Sequence, residues 1–466
     1  MSLSSNPRGL PKFDWLLFST YLALVGIGLM MIFATTYHDQ EAGTILSHNS
    51  IFGKQAIWVV ISLTAMLLVY LMDWQLFNSL SIPIYIIGLL ALVFVLLFGR
   101  EIKGATSWFA IGPMTIQPSE FAKLSTAIYL ASVLSAIRFD LRNVKTQLFT
   151  FGIFLVPAAL ILLQPDAGSA LTFFSLLILL YRKGLPTVYF IVLILLFLTV
   201  VITLTKGVLI ALSTISLILT AILLDFSKMR IFSLMLLTAL ILSSLVCFQF
   251  DWDIYATIIN AFAMVGVLFF FNQRQRIITK FSLLSGVMVL GIIAYTSSYA
   301  FNNVLKPHQQ DRINVWLQPE KCDPRGSLYN LLQSKLAIGS GGLTGKGYLD
   351  GTFTKLNYVP EQTTDFIFSS VGEEQGFIGG LAVIILFLIM IVRIIQKGED
   401  SKYPFVQNYS YAIAGFIFFH FFVNIGMTMG ISPVIGIPLP FISKGGSSLL
   451  AFSIMIGLAL KMYKTR

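Results

Sequence analysis

Charge is the scarcest property of this 466-residue chain: Asp, Glu, Lys and Arg together make up 11% of it, against 56% hydrophobic residues. A soluble domain carries about a quarter charged residues, so too few are present here to coat a water-facing surface. Two cysteines, Cys247 in an apolar run and Cys322 in a polar stretch, exclude a disulfide framework and a Cys-based metal site. The four histidines (His38, His48, His308, His420) show no i,i+4 pairing, so the pattern does not point to zinc. The same composition excludes a disordered, collagen-like or nucleic-acid-binding chain. What is abundant is long apolar runs, and the mean hydropathy is +0.84.

A membrane-crossing helix needs about 20 mostly apolar residues. Fourteen stretches qualify as candidates: 14–35, 55–73, 79–98, 117–136, 147–163, 168–182, 187–204, 207–224, 229–248, 254–271, 278–300, 367–392, 408–429 and 444–462. The first follows Pro11 without an A-x-A cleavage site and reads as a retained span, not a signal peptide. The fold class expected is therefore all-α, a polytopic transmembrane helix bundle.

Net charge is +10, and sidedness explains it without a polyanionic partner. With the N-terminus inside, 18 of the 31 Lys and Arg residues fall in cytoplasmic segments, five in short outer loops and seven in the long 301–366 loop. Lys and Arg concentrate on the cytoplasmic side of membrane proteins, so both termini are expected inside and residues 301–366 outside.

That loop is the one long connection, and loops of this length are functional or disordered. It keeps apolar and aromatic anchors, and Leu328, Leu331, Leu332 and Leu336 recur at helical spacing, predicting a short helix on the membrane face. Next comes a glycine-dense stretch, residues 339–347, ending Gly345-Lys346-Gly347. It departs twice from a nucleotide P-loop, with Ser340 in place of the first glycine and Gly347 in place of Ser or Thr. Two readings remain: backbone N–H groups and Lys346 facing an anionic ligand, or a tight turn. Among the loop's many titratable groups, which include Glu361 and Asp365, Asp323 stands apart. Pro324 restricts its backbone, which makes it a candidate general base at the membrane surface.

Charge inside spans is costly, about 2.5–3.5 kcal/mol on insertion scales, and suggests function. Glu120 and Lys123 lie three apart on one helical face, able to pair with each other or to face a ligand. Asp166 begins another span, where an N-cap is the simpler reading, and Trp108 precedes Gln117 as an interfacial aromatic. Pro433, Pro438 and Pro440 break the apolar run before Lys444 and Gly445-Gly446-Ser447-Ser448. Broken backbone at membrane depth must be covered by protein or line a cavity, so this stretch is expected to be re-entrant and close to the site.

Five ordered blocks carry a family resemblance: QPSEFAK (117–123), QPDAGSA (164–170), CDPRGSLYNLLQSKLAIGSGGLTGKG (322–347), YVPEQTTDFIFSSVGEEQGF (358–377) and GISPVIGIPLPFISKGGSSLL (430–450). They resemble the SEDS family of shape, elongation, division and sporulation proteins, and GTFTKLNYVPEQ (351–362) is closer to its elongation branch than to its division branch. The resemblance implies a peptidoglycan glycosyltransferase that polymerises lipid II into glycan strands on the outer face of the bacterial cytoplasmic membrane. It implies a class B penicillin-binding protein (a transpeptidase) and other membrane proteins of the elongation complex as partners, and no nucleic acid. It makes Asp323 the functional aspartate and carries Trp108, Glu120, Lys123 and Asp166 over as residues the family needs. Lys346, Glu361, Asp365 and Lys444 complete the expected substrate-binding set, with a divalent cation such as Mg or Mn as a candidate helper for the leaving pyrophosphate.

Departures from the family are specific. Ser107 and Thr115 stand where the family commonly has arginine, Thr363 where it has histidine, and Lys444 where it often has tyrosine; Arg100, Lys103 and Lys444 are the replacement cations at hand. The family core has about ten spans, so about four are inserted here. The expected divisions are 1–186 and 278–466 as core and 187–277 as insertion. Two rival readings stand beside the polymerase: a lipid II flippase and a non-catalytic scaffold of a wall-synthesis complex.

Overall fold

The computed structural model describes residues 13–37, 47, 50–102, 104–111, 114–136, 140–224, 230–271, 277–305, 307–324, 326 and 328–464. Two compact units divide it: Met1–Leu185 together with Asp323–Arg466, and Pro186–Cys322.

In the first unit the helices are α1 (Trp15–Tyr37), α2 (Ile51–Leu71), α3 (Trp74–Ser79), α4 (Ser81–Phe98), α5 (Pro118–Leu134), α6 (Val144–Leu162), α7 (Ala167–Thr172) and α8 (Leu176–Arg182). The second unit holds α9 (Val188–Lys206), α10 (Val208–Leu223), α11 (Arg230–Gln249), α12 (Asp253–Gly266), α13 (Ile277–Asn303) and α14 (Pro307–Leu317). The first unit then resumes with α15 (Tyr329–Ser340), α16 (Thr352–Lys355), α17 (Ile367–Glu399), α18 (Pro404–Met429) and α19 (Gly446–Lys464).

Each of the fourteen apolar runs coincides with helix. Among the described residues, nine helices are long and apolar enough to cross a bilayer, and four runs of 10–17 residues are apolar but shorter. The fourteenth, α5, has 17 residues and carries the Glu120–Lys123 pair. The chain is a multi-pass membrane helix bundle. Large apolar side chains remain exposed along α2, α4, α9 and α11, as a lipid-facing surface requires.

One departure from an all-helical chain lies between α4 and α5. A small antiparallel sheet forms there from β1 (Arg100–Ile102), β2 (Ala105–Ile111) and β3 (Met114–Ile116). β-branched and aromatic residues at Ile102, Thr106, Trp108, Phe109, Thr115 and Ile116 favour strands. β3 then feeds α5 through Gln117, and Pro118 occupies the first turn, where its missing N–H costs nothing.

Helices α18 and α19 are buried over most of their length and form the core of the first unit. Between them the chain is non-helical from 431 to 445, yet Ile437, Leu439, Phe441 and Ile442 are buried. Protein thus covers the broken backbone, as the prolines led us to expect. Gly446 opens α19 against the Trp58 indole, where a Cβ would stand 2.2 Å from a ring carbon.

Candidate functional site

Two deeply buried charges of the first unit, Lys123 and Glu120, meet where α5, α18 and the 431–445 segment converge. Lys123 is fully buried, and its Nζ donates to Glu120 Oε1 at 2.8 Å and to His420 Nε2 at 2.8 Å. His420 Nδ1 lies 3.1 Å from the Pro438 carbonyl. The Phe452 ring lies against both cation and imidazole. Of the two readings left open by the sequence, a self-satisfying ion pair describes Glu120–Lys123 as it stands, except that Glu120 Oε2 is buried without a hydrogen-bond partner.

Asp166 does two things. Its Oδ1 accepts from Ser169 N–H at 3.0 Å, capping α7, and its Oδ2 accepts from Gln117 Nε2 at 2.8 Å, tying α7 to the start of α5. Gly168, two residues on, packs against the backbone of Ile435. The QPSEFAK and QPDAGSA blocks therefore converge on the 431–445 segment.

The end of the long loop reaches the same segment through its backbone. Asn424 Nδ2 donates to the Asp365 carbonyl at 2.9 Å and to the Ile437 carbonyl at 2.7 Å. Ser443 Oγ donates to the Thr364 carbonyl at 2.6 Å, and Lys444 N–H to the Thr363 carbonyl at 2.8 Å. Glu361 is exposed in a left-handed turn at φ 60°, accepting from Thr364 Oγ1 at 3.0 Å.

Lys346 stands elsewhere, in an anchor for the loop. Its Nζ lies 2.7 Å from Oε1 of the fully buried Glu373. That carboxylate also accepts from the Phe353 and Thr354 N–H groups and the Thr354 hydroxyl, each at 2.9 Å. Around it the glycines serve close packing: a Cβ at Gly341 would fall 2.0 Å from the Gly372 carbonyl oxygen, and one at Gly345 2.1 Å from that of Glu374. Nearby, burial and the Glu374 charge push the Tyr348 phenol above its usual value.

Asp323 is exposed, and its carbonyl accepts from Gly326 N–H at 3.1 Å, closing the Asp-Pro turn. Trp108 is half-buried on β2, directly opposite Arg100. Beside it, Phe98, Arg100, Phe109 and Ala110 line a cavity of about 390 Å³. Lys103 lies outside the described residues. Among those described, no three His, Cys, Asp or Glu side chains converge to hold a metal ion.

Sequence reasoning missed His420, Glu373 and Gln117. For His420 the signal was present: a lone ionisable residue within the apolar run of α18 suggests function by default. Looking for paired histidines passed it over, because its partner is a lysine 297 positions away.

Comparisons with known proteins show the family and the fold. The family model of the FtsW/RodA/SpoVE cell cycle proteins matches residues 14–222 and 212–466. The peptidoglycan glycosyltransferase RodA of Treponema pallidum (strain Nichols) is 34% identical over 462 residues, 98% of each chain. The peptidoglycan glycosyltransferase MrdB of Escherichia coli (strain K12) is 29% identical over 389 residues, 82% of this chain and 77% of that one. Among solved structures, the rod shape determining protein RodA of Thermus thermophilus aligns with a TM-score of 0.55 at 22% identity, over 97% of both chains. A chain of a peptidoglycan synthase complex that coordinates polymerization and crosslinking aligns with a TM-score of 0.64 at 22% identity, again over 97% of both. These structures share the fold.

Proposed function

This chain belongs to the FtsW/RodA/SpoVE family, and from that premise we propose that it polymerises lipid II into glycan strands at the outer face of the bacterial cytoplasmic membrane. It is a membrane-embedded peptidoglycan glycosyltransferase of the cell-shape branch. The observation that carries this is the 34% identity to a peptidoglycan glycosyltransferase RodA over 98% of both chains.

In the proposed reaction a sugar hydroxyl of one lipid-linked unit attacks the anomeric carbon of another. The new glycosidic C–O bond forms as the bond to the polyprenyl pyrophosphate breaks, with the electron pair leaving on the phosphate oxygen. Asp323, exposed in its Asp-Pro turn, takes the hydroxyl proton; a positioned general base contributes about 10²–10⁴-fold. Positive charge must offset the departing pyrophosphate. Arg100, opposite Trp108, and Lys444, whose backbone N–H binds the Thr363 carbonyl at the end of the loop, are the cations proposed for this role. Lys123 and Lys346 are held by carboxylates and act by fixing the frame around the substrate, as do Glu120 and Asp166. Glu361 and Asp365 shape the loop end of the site.

The partner proposed is a transpeptidase that crosslinks the strands, a class B penicillin-binding protein; a solved relative of the fold sits in a complex of polymerization with crosslinking. Spans 187–277 are proposed as an insertion in the core. The test is polymerisation of labelled lipid II by the purified full-length chain, alone and with the transpeptidase. Glycan strands are expected; lipid movement between leaflets without any polymer would favour the flippase instead.

A further inference from the structure

The geometry points to His420 as a positioning residue of the polymerase: through its two ring nitrogens it joins the buried Lys123–Glu120 pair to the re-entrant segment, and so sets where that segment stands. This rests on the polymerase reading above.

The protonation pattern follows from what each partner can do. A backbone carbonyl only accepts, so the nitrogen facing Pro438 O, Nδ1 at 3.1 Å, carries the proton. A lysine ammonium only donates, so Nε2, 2.8 Å from Lys123 Nζ, offers its lone pair. His420 is thereby held as one neutral tautomer by a donor on α5 and an acceptor beyond α18. The lysine bond is out of water, since Lys123 and His420 are 0% and 1% exposed, while the carbonyl end lies at half-buried Pro438. The Phe452 ring, edge-on to the imidazole at 5.2 Å between centroids, fixes its plane.

What the imidazole holds is the segment that carries the rest of the site. Pro438 lies between Ile437, whose carbonyl accepts from Asn424 at 2.7 Å, and Leu439, whose N–H donates to Ser443 Oγ at 2.9 Å. Ser443 in turn binds the Thr364 carbonyl and Lys444 N–H the Thr363 carbonyl. Three groups thus form an unbroken line from α5 to the 431–445 segment: the Lys123 ammonium, the His420 ring and the Pro438 carbonyl. The segment has no helix or strand to hold it in place, and it includes two left-handed residues, Gly436 and Phe441. Side-chain tethers of this kind decide its position.

Two amide substitutions separate the two bonds. In His420→Gln the amide oxygen falls near the place of Nε2 and still accepts from Lys123. In His420→Asn the amide N–H falls near the place of Nδ1 and still reaches Pro438, but the lysine loses its acceptor. Lipid II polymerisation by the full-length chain is expected to fall on the order of tenfold or more in kcat for His420→Asn, the size of a lost charged hydrogen bond. His420→Gln, which gives up the Pro438 tether, is expected to fall about fivefold in kcat, the size of a lost neutral hydrogen bond, with KM little changed in either variant. Wild-type rates in either variant, or losses in both fully matched by falls in melting temperature, would overturn the proposal. A chain that melts normally but makes no polymer in its wild-type form would overturn the polymerase reading instead. In that case melting temperatures of Lys123→Met, His420→Asn and the double variant still decide the contact: non-additive shifts support it, and additive shifts remove it.

Discussion

A lysine that no water reaches must be neutralised by its neighbours. Lys123 is 0% exposed and Glu120 2%, and their 2.8 Å contact makes each the other's counter-charge. Removing one partner of such a pair leaves a buried charge uncompensated and costs about 3–5 kcal/mol, whereas replacing both with apolar groups is often close to neutral. Lys123→Met is therefore expected to lower the melting temperature of the detergent-solubilised chain more than the double variant Glu120→Leu/Lys123→Met does. Equal losses in the two would show that the pair is not what holds α5. Asp323 is the opposite case, an exposed carboxylate in a turn. Asp323→Asn should melt like wild type and lose about 100-fold or more of lipid II polymerisation, the lower range for a general base. A variant with full activity would remove it from the chemistry. Both residues were legible in the sequence from local context, but their different natures were not, because burial depends on what α18 and α19 bring to that point.

At the scale of elements, the long loop is docked as well as tethered. Within α17 the chain bends at Gly376, with φ 64° and ψ −164°, a conformation that costs an L-residue about 1–3 kcal/mol. A Cβ there would also stand 2.2 Å from the Gly345 nitrogen. Gly376→Ala should thus destabilise the chain and expose 341–366 to limited proteolysis. Gly152 in α6 is the control, since nothing lies within 4 Å of a Cβ built on it. Gly152→Ala should be neutral or stabilising by up to about 1 kcal/mol, as expected for Gly to Ala inside a helix. If both variants behaved alike, the loop would not depend on this close approach. The short helix at 328–336 was readable from leucine spacing, and α15 bears it out. Its buried side, however, is Leu331, Ser334 and Ala337, while Leu336 remains exposed. The sheet at 100–116 was not readable, since two of its strands have only three residues, too short to show an alternating pattern.

At the scale of the whole molecule, the chemistry needs Asp323 on the side where lipid II is presented. Cys247 and Cys322 are both buried, so an introduced cysteine can be read against a quiet background. With Asp350→Cys, at an exposed position of the loop, a membrane-impermeant thiol reagent should react with intact cells. With Lys402→Cys, between α17 and α18, it should react only after permeabilisation. The reverse pattern would place the loop in the cytosol and end the proposed mechanism. The second unit, 186–322, has a core of its own around Leu195, Ile215 and Leu290. Asn260 there binds Ser213 and Ser244 across α10, α11 and α12. The Treponema RodA matches over 98% of both chains, so a stretch of this length is shared with that relative.

Apolar run length and the near-absence of charge determined by themselves that this chain is a helical membrane bundle. Helix hydrogen bonds are local, and hydrophobic length is written residue by residue. Ordered motifs determined the family and marked Asp323, Glu120, Lys123 and Asp166. Tertiary structure alone decided that Lys123 faces a histidine 297 residues away, that Lys346 serves a buried glutamate, and that glycines 341, 345 and 376 seat the loop on a helix. Each of these is a contact between segments far apart in the chain, fixed by how the helices pack and invisible to any pattern of neighbours.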